Sequence, residues 1–289
     1  PVRMIRAVRI SAKLGFAIEP ATERPIARMA KLLSNVPSAR LVDEALKLLT
    51  CGHAVECVSR LRKEGLAEAV LPTLNRLLAT PDGEAFLMLA LRRTDECLAI
   101  GKRISPFFLF ATLLWPQVRL RWQHNEEVRG LPRLAALHDA AVEVLETESH
   151  SLAIQRRFQS DMHDLWVLQA RLERRTGKSP YSVINHPRYR AGYDFLLLRA
   201  QMGEVPEALP AWWDHFVQAD SDERAEMVKA AQIEARQTGE DARRGRCAAL
   251  QAGSDAPAGE ERERRRPRRR PRRSRSRRPV DHVGSGSSE

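Results

Sequence analysis

The densest chemistry in this sequence is cationic: the run ERERRRPRRRPRRSRSRR at residues 261–278, with Arg268, Arg269, Arg270, Arg272 and Arg273 at its centre. Like charges at that spacing repel one another into an extended chain, and the prolines oppose helix. The run should bind polyanions without sequence preference. On single-stranded nucleic acid its affinity would fall with salt at a slope of about −0.7 per phosphate neutralised. A localisation-type signal, an anionic membrane contact and plain solubility are competing uses of the same charge.

Two further cationic sets are more structured. Arg171, Arg174, Arg175, Lys178, Arg188 and Arg190 flank the stretch GKSPYSVINHP, with Tyr181 and Tyr189 among them. Basic groups beside aromatic rings can hold single-stranded RNA by phosphate contact and base stacking. An ordinary solvated helix face has the same composition. Arg3, Arg6 and Arg9 recur every third residue, a slowly drifting stripe along one side of a helix. Trp212 and Trp213 read as core packing. Two His-Asp dipeptides, His138-Asp139 and His163-Asp164, match the start of a metal phosphohydrolase motif, but that chemistry needs a further His and a distant Asp. Helix-surface polar residues account for them better, and no metal site is expected. RTGKSP lacks the GxxxxGK[ST] spacing and the preceding strand of a phosphate-binding loop.

The frame around these groups is nearly neutral. The chain of 289 residues has a formal net charge of +11. Residues 260–279 alone hold 12 arginines and 3 glutamates, a net +9, which leaves +2 for everything else. Cationic character therefore belongs to the end of the chain. Hydrophobic residues make up 43% and aromatic ones 6%, with Leu, Ala and Val dominating, a helical palette. The longest apolar run, PFFLFATLLWP, is too short to cross a hydrocarbon core of about 30 Å as a helix, and no secretory segment is visible. The four cysteines form no CxxC pair, so they read as reduced thiols of a cytoplasmic protein.

Periodicity predicts an all-α chain. Apolar Met4, Ile5, Val8 and Ala12 place a helix over 2–16, already under way at the third residue, so the chain reads as entering part-way through a motif. Helices follow over 21–33, from 38 to about 51, and over 53–64, with a short one from Pro72. After a predicted Thr80-Pro81-Asp82-Gly83 turn, period-3.6 faces run over 84–99, 106–115, 131–146, 154–175 and 188–202. Breaks are expected at Gly101, Pro116, Gly130, Ser149, residues 177–180 and Gly203. Asp220 and Glu223 have capping-box spacing for a charged helix over 220–238. Residues 239–289 are expected to be disordered, since they cannot bury enough apolar surface to offset chain entropy.

Three groups of segments carry a resemblance. PVRMIRAVRISAKLGF resembles the neck helix of the class II nucleotidyltransferases, the family of bacterial poly(A) polymerases and tRNA CCA-adding enzymes. Arg3 ends that family's Glu-Asp-x-x-Arg pattern, and Arg6, Ala7 and Arg9 supply its Arg-Ala-x-Arg run, with Ile10 in place of the usual Phe. VPSARLVDEALKLL resembles the second neck segment, with Arg40 and Glu44 one turn apart as a structural pair. TDECLAIGKRISPFFLFATLLW, LWVLQARLERRTGKSPYSVINHPRYRAGYDFLLLRA and WWDHF resemble the body of the poly(A) polymerase branch.

The resemblance implies a neck at 1–66, a helical body at 67–218, a charged helix at 219–238 and an Arg-rich tail at 239–289. It implies nucleotide reading by Arg3, with Arg6 and Arg9 facing nucleotide or primer or else forming structural ion pairs. It also implies AMP transfer from ATP to RNA 3′ ends with Mg2+, on a catalytic head ahead of Pro1. The residues here show no strand-borne Asp-x-Asp, so this part alone should be inactive. RNA is the implied partner, with RNA-decay proteins as further ones and no membrane. The rival readings are a CCA-adding enzyme and a non-catalytic helical RNA-binding or adaptor protein.

Overall fold

The computed structural model describes residues 1–149 and 152–254, the segment 239–254 as backbone only. Among the described residues there are only helices and connections. The first helix, α1 (Arg3–Leu14), buries Met4, Ile5, Val8, Ser11 and Ala12 and ends at Gly15. That glycine adopts φ 68°, a left-handed cap that costs a residue without a Cβ little. Next come α2 (Pro20–Met29), a 3₁₀ turn (Ala30–Asn35), α3 (Ser38–Leu49) and α4 (Ala54–Lys63). The short α5 (Ala67–Val70) and α6 (Pro72–Leu78) then lead to α7 (Pro81–Ala99) and α8 (Pro106–Glu127).

The predicted turn at 80–83 is instead the first turn of α7. Thr80 caps it by accepting from the Gly83 N–H at 3.3 Å, and Pro81 occupies the first helical position, where its missing N–H costs nothing. Glycine is required at 83 for another reason. A Cβ there would stand 2.6 Å from Thr80 Oγ1 and 2.7 Å from the Leu77 carbonyl oxygen.

The expected break at Pro116 also does not occur, and α8 runs through it. An interior proline costs about 3 kcal/mol or more. It is tolerated because both sides of it are anchored: Trp115, Val118 and Trp122 are all buried. Beyond the proline, Trp122 Nε1 donates to the Arg133 carbonyl at 3.0 Å, and Asn125 Nδ2 donates to that of Ala136 at 3.2 Å. The first half of α8 is buried almost all round, so the apolar run PFFLFATLLW is a core helix. No described helix is long and apolar enough to cross a membrane.

The remaining elements are α9 (Arg133–Glu148), α10 (Arg156–Glu173), α11 (Ser179–Ile184), α12 (Tyr189–Gln201), α13 (Ala208–Gln218) and α14 (Ser221–Ser254). The sequence reading had residues 177–180 only as a break; Pro180 and Val183 bury there and turn the segment into α11. Asp220 Oδ1 accepts from the N–H groups of Asp222 and Glu223 at 3.0 and 2.9 Å, the predicted cap of α14. The backbone of α14 is described as far as Ser254. The expectation of disorder over 255–289 lies outside the described residues.

Residues 1–238 form one compact unit. One apolar cluster runs from Met4 on α1 to Leu198 on α12, continuous across Leu66 and Ala67. A second, around Trp213, Phe216, Leu168 and Tyr193, ties α10, α12, α13 and the start of α14. Each fully buried indole finds a hydrogen-bond acceptor, as burial of a polar group demands. Trp166 donates to the Ala111 carbonyl at 3.2 Å and Trp213 to that of Leu172 at 2.9 Å.

Candidate nucleic-acid interface

On α1 the arginine stripe drifts across the boundary of the core. Arg3 is exposed, Arg6 is half-exposed and Arg9 is partly buried, with its Nε lacking a hydrogen-bond partner. Arg6 reaches across to α3, where its Nη2 donates to Glu44 Oε1 at 2.9 Å. Lys47 Nζ donates to the same oxygen at 3.0 Å. Glu44 is buried, and the Arg6 hydrogen bond holds its carboxyl down at about 2 against the opposing effect of burial, with Lys47 assisting. Its second oxygen has no partner. The expected Arg40–Glu44 pair is not formed among the described residues. Glu44 points into the α1–α3 seam and takes Arg6, whereas Arg40, a turn earlier, is exposed.

The second cationic set divides in two. Arg171, Arg174, Arg175 and Lys178 stand at the corner between α10 and α11. Arg171 donates to Ser182 Oγ at 2.9 Å, and Arg175 pairs with Glu234 at 3.0 Å beside the Trp212 ring. Arg174 and Lys178 are exposed, with no ion pair among the described residues. The two tyrosines are partly buried and each meets another ring of the protein. Tyr181 meets Phe216 edge-on at 5.5 Å, and Tyr189 stacks on Tyr193 at 6.2 Å. Burial pushes the Tyr189 hydroxyl up to about 12. Trp213 is buried as expected, and Trp212 stacks on Phe216 at 4.8 Å.

Arg188 and Arg190 open instead onto a cleft of about 1080 Å³ between α7, the α7–α8 connection and α12. Arg188 pairs with Asp161 and lies 5.1 Å over the Phe107 ring, and Arg190 pairs with Asp194 at 3.4 Å. Arg93, Lys102 and Arg103 line the same cleft. Sequence reading missed all three. The signal present was GKRISP, two adjacent cations on a loop beside an exposed Ile100.

A buried ion network, also missed, braces this region. Arg199 on α12 is 3% exposed and donates to Glu204 at 3.1 Å and Glu173 at 2.8 Å, under the ring of Trp115 at 5.0 Å. Glu204 also accepts from Trp115 Nε1 at 2.9 Å and from Arg119 at 2.8 Å. Arg133 bonds Glu173 from the start of α9. Nothing in a helical pattern flags such a network, because its members come from four separate segments.

The two His-Asp dipeptides meet across α9 and α10. The His138 and His163 rings lie edge to face at 4.8 Å, each beside its own neighbouring Asp. Burial, followed by the nearby His138, lowers the His163 pKa. Among the described residues no group of three or more His, Cys, Asp or Glu could hold a metal ion. Cys51 and Cys57 are free thiols with sulfurs 3.5 Å apart, and Cys97 is free elsewhere. The hydrogen bond from Cys57 pulls Cys51 below the ordinary thiol range, and the same contact together with burial raises Cys57. Arg268, Arg269, Arg270, Arg272 and Arg273 lie outside the described residues.

Comparison with known proteins bears on both ends of the chain. A family model described as "Polymerase A arginine-rich C-terminus" matches residues 129–278, and one described as "Probable RNA and SrmB- binding site of polymerase A" matches residues 15–87. Poly(A) polymerase I of Haemophilus influenzae is 38% identical over 237 residues, which cover 80% of this chain and 52% of that protein. Poly(A) polymerase I of Salmonella typhi is 38% identical over 234 residues, covering 79% and 50%. The CC-adding tRNA nucleotidyltransferase of Geobacter sulfurreducens is 30% identical over 141 residues, covering 49% and 31%. The chain spans about half the length of the poly(A) polymerases it matches. The first family model takes in the helices from α9 onward and the arginine run. By that match, the chain belongs to the polymerase A arginine-rich C-terminus family.

Proposed function

We propose that this chain is the base-reading and RNA-holding part of a polynucleotide adenylyltransferase, which adds AMP from ATP to RNA 3′ ends in the cytoplasm. The observation that carries the reading is the similarity to Poly(A) polymerase I along 80% of the chain. The placement of Arg3 and Arg6 on the outward side of α1 agrees with it. A guanidinium presents fixed, planar donors, which suits the acceptor edge of an adenine. Arg6 is held in place by Glu44, so the outer face of α1 meets a base with one side chain already oriented. Residues 1–66 would serve as neck and 67–218 as body, with the arginine run at 261–278 adding non-specific grip.

The reaction joins the RNA 3′ hydroxyl to the α-phosphorus of ATP and releases pyrophosphate. Mg2+ would stabilise the charge on the attacking and leaving oxygens. Because the chain spans about half the length of the poly(A) polymerases it matches, we place the metal-dependent step in the part of such a protein that these residues do not cover. SrmB, named in the description of the model that matches 15–87, is the candidate protein partner for that region.

The test is ATP-dependent extension of a short labelled RNA by this chain and by the protein with its preceding coding sequence. Extension with adenosine only, by the longer protein only, is expected. Addition of C and then A would move the chain to the CCA-adding branch. Salt-sensitive RNA binding without extension by either protein would leave a helical RNA-binding adaptor.

A further inference from the structure

The cleft under Arg188 and Arg190 is walled by the second half of α7, the connection 100–105, the first turn of α8 and the first three turns of α12. Five cations line it: Arg93, Lys102, Arg103, Arg188 and Arg190, against the two acids Glu96 and Asp194. Both acids have partners within the cleft wall. Arg93 pairs with Glu96 at 3.3 Å, and Arg190 with Asp194 at 3.4 Å. Arg188 is tied to Asp161. Lys102 and Arg103 are thus left exposed on one rim, with no ion pair among the described residues. Arg190, three-quarters exposed, stands on the opposite wall.

Between the rims the lining turns apolar: Ile104, Phe108, Ala191 and Leu197. None of them is fully buried by the protein itself. A cleft of about 1080 Å³ is slightly above the roughly 300–1,000 Å³ typical of small-molecule pockets. It has room for more than one nucleotide. Two unpaired cations on one rim, an exposed arginine paired with Asp194 on the opposite wall and an aliphatic–aromatic floor are an arrangement that accepts a single strand, phosphates outward and bases inward. A duplex would present phosphates only and leave the floor unused.

We propose that this cleft is a second RNA site, on the body, which takes a short single-stranded segment with its phosphates on Lys102 and Arg103 and its bases over Phe108 and Ile104. The proposal rests on the RNA reading above, and it lies outside the 15–87 region whose family description mentions RNA. The segment held here would be a part of the primer separate from the base read at α1. Anchoring at two places raises the effective concentration of the strand at each.

The experiment uses the full chain and a fluorescein-labelled ten-nucleotide oligo(A), followed by anisotropy across a salt series, for the wild type and the Lys102→Ala/Arg103→Ala variant. Both residues are exposed, so the variant should fold, and circular dichroism checks that it does. Loss of two phosphate contacts predicts a salt slope shallower by about 1.4 and binding weaker by about 25-fold at 0.1 M salt. In parallel, a 4-thiouridine oligomer is crosslinked and its peptides mapped. Crosslinks within residues 100–108 or 187–198 support the site.

Unchanged slope and affinity, with crosslinks only on the neck or the arginine run, would overturn the cleft while leaving the RNA reading intact. Failure of the wild type to bind RNA at all would remove the RNA reading and the cleft together. A poly-glutamate peptide that competes as well as the RNA does, and depends equally on Lys102 and Arg103, would make the cleft a site for acidic protein segments and overturn the proposal.

Discussion

Replacing Arg199 by methionine tests whether the buried ion network is what braces α12 and, with it, the cleft and the Arg188–Arg190 wall. Arg199 is 3% exposed and bonds two carboxylates, Glu204 at 3.1 Å and Glu173 at 2.8 Å. Hydrogen bonds to charged groups contribute about 1.5–3 kcal/mol each, and breaking a buried pair typically costs about 3–5 kcal/mol. Here the carboxylates are not abandoned: Glu204 keeps Arg119 and the Trp115 indole, and Glu173 keeps Arg133. The cost should therefore fall at the low end, about 3 kcal/mol. Methionine fills most of the space under the Trp115 ring, which limits any cavity contribution. For a folded unit of this size 1 kcal/mol moves Tm by about 2–4 °C, so the melting temperature should drop by about 6–12 °C. Thermal unfolding followed by circular dichroism reads it. A double-mutant cycle with Glu204→Gln should show coupling above about 1 kcal/mol. A drop in Tm under 2 °C, or additive losses in the cycle, would mean that the network is incidental and that α12 is held by its apolar contacts alone.

Two further outcomes follow from the neck. The Glu44 carboxyl sits at about 2, below its ordinary value, so the stability it adds is present above the ordinary carboxylate range and is lost as pH falls toward 2. Glu44→Gln should lower the urea midpoint at pH 6 by the equivalent of about 1–2 kcal/mol, a figure discounted for the half-exposed Arg6. The gap to wild type should close near pH 2; a gap constant from pH 2 to 6 would sink the assignment. At pH 7, iodoacetamide should label Cys51 several-fold faster than Cys57, because Cys51 has the thiolate character and the access while Cys57 is fully buried. In the Cys57→Ala variant Cys51 should slow, since the hydrogen bond that lowers it is gone; equal rates at the two thiols by peptide mapping would contradict this geometry.

Much of the architecture was legible from residue pattern. Leu- and Ala-rich period-3.6 faces placed most of the long helices within a few residues, because an apolar stripe at that period has only one way to be buried. Local punctuation was less reliable. The Thr80-Pro81-Asp82-Gly83 stretch carries turn residues, but the same residues form a capped helix start once Thr80 reaches the Gly83 N–H. Pro116 reads as a stop, and it is one wherever nothing holds both sides of the helix; here the buried Trp115 and Trp122 do.

The candidate site divides along the same line. Which residues are cationic, that the charge concentrates at 261–278 and that Arg3, Arg6 and Arg9 share a helix are all properties of the chain itself. The choice of partner was decided only by tertiary packing. Glu44 takes Arg6 from 38 residues away instead of Arg40 from the preceding turn, because its side chain faces the α1 seam. Which ring Tyr181 and Tyr189 meet, Phe216 for the first and Tyr193 for the second, is likewise set by packing, with both tyrosines left partly exposed. Lys102 and Arg103 join Arg190 around one cleft only because α7 and α12 come together there. Period and composition act along the chain and are written in it, whereas the competition among distant partners for a buried carboxylate or an aromatic face is settled only when the helices have packed.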